Sequence, residues 1–454
     1  MLILGIILIG ILGCFILNAI STKYTLCEIT GLSFPIGLGT LTIIIAIVNT
    51  LGVKIYASSI FVVVITMILL LLGYIIKYRK PQFKIPHFSL YKLNWVWLLF
   101  VAVIVYFEYM NFAKCMYYPT FDRDSLAGFD TIGYVIAQEH TLKGLSIFQS
   151  EYMPQINNAG SYITYAPMIQ LSYAIVYLLG AETSKLIPAL MFLSLLISFY
   201  GSIQRSINKT AAAIITLFMM ITPEMLAFSS LSATNVIHAT TASMGIIYIS
   251  LWYNGKEYRD LYLGSLLLGI NIWTRTDGVV FILAACLLLF IHSIKTKEWR
   301  CMYSLIISVS PAIIWFIISK VDNFYAESIG IYHPYWDGDK LNTIWQYMKA
   351  LYSNTTYYGY SFCFFILSFV VNIKYIVKHK DNMALFTMII VAVILYMLAL
   401  YHVDYKWDRI ENVLSYSAKR FLFCFIPLVW YYGVNNHNIK MLFMKIEDFL
   451  SFKK

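Results

Sequence analysis

The residues best suited to chemistry begin in one polar stretch, Phe121-Asp122-Arg123-Asp124-Ser125-Leu126-Ala127-Gly128-Phe129-Asp130-Thr131-Ile132-Gly133-Tyr134. Asp122 and Asp124 flank a single residue, a spacing that aims two carboxylates at a cation or a sugar hydroxyl. Asp130 and Tyr134 are four apart and share a face where the stretch is helical. A carboxylate held close to an apolar surface, partly desolvated, can act as a base. Helix capping and plain solvated charge are the competing readings of these acids. The acids leave a divalent metal open as a cofactor, and no other cofactor is indicated. The cysteines show no metal-ligand or redox spacing.

Three further clusters carry cations or aromatic planes. Trp273-Thr274-Arg275-Thr276-Asp277-Gly278 sets an arginine beside an acid. A guanidinium there can reach a lipid phosphate, with Asp277 orienting it. A snorkelling interfacial anchor on an Asp-Gly turn is the plainer reading. Tyr416-Ser417-Ala418-Lys419-Arg420 ends in two cations, with Lys406 and Arg409 earlier in the same segment. A bound phosphate or diphosphate accounts for them, and so do anionic headgroups. His333, Tyr335, Trp336, Asp337 and Asp339 combine aromatic planes with acids, as sugar recognition does by stacking and hydrogen bonding. An aromatic membrane belt has the same composition. His402 reads as structural.

The elements that must hold these residues follow from composition. The chain has 454 residues, 60% apolar, 17% aromatic and 12% charged. A soluble domain is about 25% charged. Mean hydropathy is +0.72. So few polar side chains cannot cover so much apolar surface in water, which excludes a soluble globular enzyme, a disordered chain and a collagen-like fibre. An all-α polytopic membrane protein remains. A helix needs about 20 apolar residues to cross the roughly 30 Å of hydrocarbon. Runs near 2–20, 31–52, 56–76, 95–113, 184–203, 210–228, 237–253, 261–273, 278–293, 303–320, 360–376, 384–401 and 420–434 give about thirteen spans. The first lacks a basic n-region and a small-residue cleavage site, so it is expected to be retained.

One run, 166–181, carries Pro167, Gln170 and Tyr173, and charge decides its reading. If it lies on the membrane surface, twenty of the 33 basic residues share one face with seven of the 23 acids. If it crosses, that asymmetry collapses. The positive-inside rule therefore predicts an interfacial helix, an external N-terminus and a cytoplasmic C-terminus. The net charge of +10 is then an orientation signal, and no nucleic acid is implied. External loops fall at 114–183, 321–359 and 402–419, and the candidate residues all lie on that face. The cytoplasmic turns read as short and basic. Walker, GxGxxG, HExxH and GxSxG motifs are absent. The seven cysteines read as small apolar residues.

The Asp-bearing segment after a span, the stretch Ser161-Tyr162-Ile163-Thr164-Tyr165-Ala166-Pro167 and the turn Trp273–Gly278 resemble the C-type (GT-C) integral-membrane glycosyltransferases, among them protein O-mannosyltransferase-like and aminoarabinose transferase-like enzymes. The resemblance covers 94–434. Residues 1–93 read as an N-terminal three-helix extension with a basic loop, and 435–454 as a basic cytoplasmic tail. The resemblance implies an inverting transfer from a polyprenyl-phosphate sugar to a glycan, lipid or protein acceptor of the cell envelope. It makes Asp130 the base, with Asp122 or Asp124 next. It assigns the donor phosphate to Arg275 and Arg420, with Tyr134 following Asp130; the residue types themselves add Asp277, Lys419, His333 and Trp336 around the substrates. Ala166-Pro167 stands where the family often has a Pro pair, and no acidic pair follows Arg123. The expected location is a bacterial plasma (inner) membrane, with the site on its external or periplasmic face. An O-antigen polymerase or ligase is the alternative enzyme. A lipid-linked saccharide transporter is the alternative outside catalysis, disfavoured by the lack of an internal repeat and of mid-span charge.

Overall fold

The computed structural model describes residues 1–79, 94–148, 165–324, 330–379, 382–405 and 409–451. Lys80, Lys84, Lys92, residues 161–164 and Lys406 lie outside the described residues. Helices dominate because, in hydrocarbon, each backbone N–H must find its acceptor within its own segment. In order they are α1 (Leu2–Ile20), α2 (Leu26–Thr50), α3 (Ala57–Tyr78), α4 (Trp95–Tyr117), α5 (Asp130–Glu139), α6 (Met168–Leu178), α7 (Leu186–Ser206), α8 (Lys209–Met220), α9 (Pro223–Phe228), α10 (Asn235–Gly255) and α11 (Tyr258–Thr274). There follow α12 (Val279–Thr296), α13 (Ser304–Val321), α14 (Gly338–Tyr352), α15 (Thr355–Tyr358), α16 (Ser361–His379), α17 (Met383–His402), α18 (Ile410–Phe423), α19 (Ile426–Asn435) and α20 (His437–Ser451).

Among the described residues, nine helical segments are long and apolar enough to span a bilayer, and α18 with α19, bent by 40° at a short break, makes a tenth. The protein is an all-α, multi-pass membrane protein. Burial separates the helices by role. Only 11% of the α4 window and 17% of the α3 window are buried in the protein, against 72% for α2 and 78% for α7. The exposed faces of α3 and α4 carry Val62, Leu69, Leu70, Leu99 and Val105, an apolar surface that requires lipid. At the centre, α10 packs on α11, α2 on α7, and α1 on α2. The last crossing is close. A Cβ on Gly37 would stand 2.0 Å from the Ile9 carbonyl oxygen, so the two backbones touch where only a small residue fits.

Hydrogen bonds sort the loops into two ends. At one end Asn94 reaches Thr210, Tyr24 reaches the Arg259 carbonyl, Asn208 reaches the Phe443 carbonyl and Arg79 reaches the end of α1. At the other Thr50 meets Asp322, Ser125 meets the Ser232 carbonyl, and Arg420 meets Asp124. This is the partition that the charge count makes when 166–181 does not cross.

Two features differ from expectation. The 166–181 run forms α6, an 11-residue helix, too short to span at 1.5 Å per residue. It does not lie on a lipid surface, because Met168 to Val176 are all buried, between α5 and α2. Almost every face of this helix is apolar, so protein surrounds it. Second, the turns at the basic end are not simply solvated. Arg205 pairs with Asp260 through Nη1 and Nη2 at 2.8 and 2.7 Å and with Glu28 at 3.1 Å. The two acids are fully buried, and Tyr248 donates to Glu28 at 3.0 Å. This network joins α2, α7, α10 and α11.

A two-stranded antiparallel sheet closes the opposite end. β1 (Gly330–Tyr332) pairs with β2 (Val403–Tyr405), with Ile331 facing Asp404. Of the cysteines, Cys115, Cys301 and Cys424 are buried and Cys363 is exposed.

Candidate functional site

The polar stretch after α4 folds as a π-helical turn, Ser125–Phe129, that runs into α5. Asp122 accepts the Ser125 backbone N–H at 3.2 Å. The Ser125 hydroxyl lies 2.6 Å from the Ser232 carbonyl and 3.2 Å from Asp122. Its single proton goes to the nearer acceptor. Asp122 therefore caps the turn. Asp130 opens α5, buried, and accepts two hydroxyls: Thr120 at 2.9 Å on Oδ2 and Tyr177 at 2.7 Å on Oδ1. The Tyr177 ring in turn meets Tyr134 edge to face, centroids 5.5 Å apart. α5 can lie this close to α6 because residue 133 is glycine: a Cβ there would come within 2.6 Å of Tyr173 Cβ.

Arg275 follows α11. Its Nε and Nη2 donate to the two oxygens of Asp277 at 3.0 and 2.8 Å, and Nη1 donates to Thr234 at 3.1 Å. Behind this pair, Asn271 Nδ2 donates to His238 Nδ1 at 2.9 Å. His238 Nε2 faces Asp277 Oδ1 at 3.6 Å. Arg420, near the end of α18, pairs with Asp124. Its neighbour Lys419 pairs with Glu224 at 2.8 Å and lies over the Tyr357 ring at 3.9 Å.

Tyr165 lies within electrostatic reach of both arginine pairs. Burial pushes its phenol up, and Arg275, Asp277, Asp124 and Arg420 all act on it electrostatically. Its ring also meets Phe129, centroids 5.9 Å apart. Asp124 of the first loop, the mid-chain turn and the last turn of α18 thus lie near one another at one end of the bundle. An apolar cavity of about 400 Å³ adjoins them, lined by Ala166, Ile272, Thr276, Val279, Trp315 and Phe316, with Lys320 at its edge. Such a group offers carboxylates that accept protons and fixed cations that hold an oxyanion.

His333 and Trp336 are placed elsewhere on the same end. His333 Nδ1 lies 2.8 Å from Asp404, which also accepts from Lys340 at 2.7 Å. The Lys340 ammonium, with His333, holds the Asp404 carboxyl below its usual range. Trp336 is largely exposed and touches Tyr401. Among the described residues no contact joins either to the Asp130 group. No set of three or more His, Cys, Asp or Glu side chains among the described residues is grouped to hold a metal ion.

Several participants escaped the sequence reading. Thr120, Tyr177, Ser232, Thr234 and His238 take part, and Ser184, whose hydroxyl donates to Ser232 Oγ at 3.0 Å, joins them. The run Ser229-Ser230-Leu231-Ser232-Ala233-Thr234-Asn235 was the available signal, since hydroxyls crowd there between two apolar runs. Lys185 is buried and donates to the Tyr118 carbonyl at 2.8 Å, supporting the chain that leads to Thr120. Burial pulls its ammonium down. No protein-family model matches the chain, and no curated protein or solved structure matches it either.

Proposed function

We propose that the chain is a membrane glycosyltransferase that moves a sugar from a polyprenyl-phosphate donor to a cell-envelope acceptor on the external face. The observation that carries this reading is the pairing of Asp124 with Arg420, within electrostatic reach of Tyr165 as the Arg275–Asp277 pair also is. In this reading Asp130, oriented by Thr120 and Tyr177, takes the proton of the acceptor hydroxyl. The acceptor oxygen bonds to the anomeric carbon, the bond from that carbon to the phosphate oxygen breaks, and its electron pair leaves with the phosphate. Arg420 and Arg275 stabilise that leaving charge. Both arginines already have carboxylate partners, so donor phosphate must displace Asp124 from Arg420. The apolar cavity beside Thr276 suits an isoprenoid chain. With α8–α9, α10 and α11 counted as spans, the total reaches thirteen.

The test is kinetic. Purified protein in lipid nanodiscs is incubated with radiolabelled polyprenyl-phosphate sugars. Arg420→Gln should raise the donor KM by about 10–100-fold, the weight of a hydrogen bond to a charged group. Absence of binding and of turnover with every such donor would overturn the reading.

A further inference from the structure

At the end of the bundle opposite the Asp130 group, a cleft of about 660 Å³ opens between α1, α11 and α13. We propose that it binds the phosphate headgroup of an anionic glycerophospholipid in that leaflet. The proposal does not rest on the glycosyltransferase reading.

The cleft has two kinds of wall. Ile16, Ile20, Leu266 and Ile307 line its apolar part, with Tyr258 and Tyr262 beside them. Lys23, Arg79 and Arg259 line its polar part against one acid, Glu257. Arg259 is the decisive group. Its side chain is 14% exposed. Its Nε lies 3.0 Å from Glu257 Oε2 and 3.9 Å from Asp260 Oδ1, without hydrogen-bond alignment. Both Nε and Nη1 are buried and make no hydrogen bond. The guanidinium is held in place from behind by the Tyr24 ring, 5.5 Å away, and by the Tyr24 hydroxyl, which donates to the Arg259 carbonyl at 2.9 Å. Arg79 is equally fixed, since its Nε and Nη2 donate to the Ala19 and Ile20 carbonyls at 2.9 and 2.8 Å.

Buried N–H donors without acceptors are unfavourable. A guanidinium whose Nη1 has no acceptor, beside the cations of Lys23 and Arg79, matches phosphate oxygens by charge and geometry. A free anion would leave the apolar wall unused, whereas a phospholipid sets its phosphate on the cations and its acyl chains along Ile16, Leu266 and Ile307. The cleft also lies at the end that carries the basic turns, where anionic lipid concentrates.

The test uses the purified full chain in detergent, titrated with dioleoylphosphatidylglycerol or dioleoylphosphatidylcholine and read by native mass spectrometry. The first phosphatidylglycerol should bind at least about tenfold more tightly than phosphatidylcholine, and Arg259→Gln should remove that preference. Lys23 is exposed, so Lys23→Gln tests the site even if Arg259→Gln fails to fold. It should weaken phosphatidylglycerol binding by about fivefold, the weight of one lysine at an anionic surface. The proposal is overturned if phosphatidylcholine binds equally well, or if the folded variants bind phosphatidylglycerol as the natural chain does. Displacement of the lipid by millimolar inorganic phosphate also overturns it, since the site would then serve a free anion.

Discussion

Asp130→Asn separates a base from a structural carboxylate, because the two roles carry different magnitudes. The side chain keeps its shape. Asp130 now accepts Tyr177 at 2.7 Å and Thr120 at 2.9 Å. A carboxamide keeps one acceptor oxygen and turns an NH2 toward the other hydroxyl. Thr120 can accept from that NH2 and pass its own proton to Ser232 Oγ, 3.4 Å away. The structural cost is therefore the exchange of two charge-assisted bonds for neutral ones, about 2 kcal/mol. In a chain of this size that shifts the melting temperature by about 4 °C or less. Loss of a general base costs about 10²–10⁴-fold in rate, or about 3–5 kcal/mol of activation free energy. The assay pairs label transfer from a polyprenyl-phosphate sugar in isolated membranes with thermal stability by fluorescence-detected gel filtration. The expected outcome is near-natural stability with transfer nearly abolished. If transfer stays within about threefold of the natural chain for Asp130→Asn, Asp122→Asn and Asp124→Asn alike, none of these acids is the base.

The remaining predictions concern the frame. Arg205→Ala leaves the buried carboxylates of Glu28 and Asp260 unpaired, and should cost about 3–5 kcal/mol, seen as a lower melting temperature or loss of folded protein; Arg205→Lys should recover only part, since an ammonium cannot make the two-pronged contact. Gly37→Leu forces α1 from α2 at the Ile9 carbonyl, and should lower stability by more than about 1 kcal/mol, checked in the same thermal assay. The lowered Asp404 carboxyl means the folded state binds its proton less readily than the unfolded chain. Its stabilising contribution is present above the ordinary carboxylate range and is lost as pH falls through the folded value, below about pH 4. Asp404 is exposed, so the effect stays under about 1 kcal/mol and should register as faster amide exchange in 330–332 on acidification.

Much of the architecture was legible because hydrocarbon imposes a simple rule. Apolar runs near 20 residues became helices at 2–20, 56–76, 95–113 and 384–401 with boundaries within a few residues, since backbone polarity has no other outlet in lipid. The acids between Asp122 and Asp130 could be recognised as candidates from their position just after a span. Their individual duties could not. That Asp122 caps Ser125, that Asp124 engages Arg420, and that Asp130 takes Thr120 and Tyr177 depend on partners up to 296 residues away. The buried Arg205 network was missed for a related reason. A basic residue at a helix end reads as a solvated turn unless one knows that Glu28 and Asp260 arrive beside it.

Amino-acid order alone determined that this chain lives in a membrane, roughly where it crosses, and which loops share a side, because these depend on hydropathy and charge summed along short windows. Tertiary packing decided which groups confront one another. It buried α6, which the charge distribution had placed at the lipid surface. It drew Arg275 and Arg420 toward Tyr165 from segments more than a hundred residues apart, and it kept His333 and Trp336 in the loop after β1, apart from the Asp130 group. Pairing across such distances is set by the way helix surfaces interlock, and one-dimensional patterns of hydropathy do not carry that information.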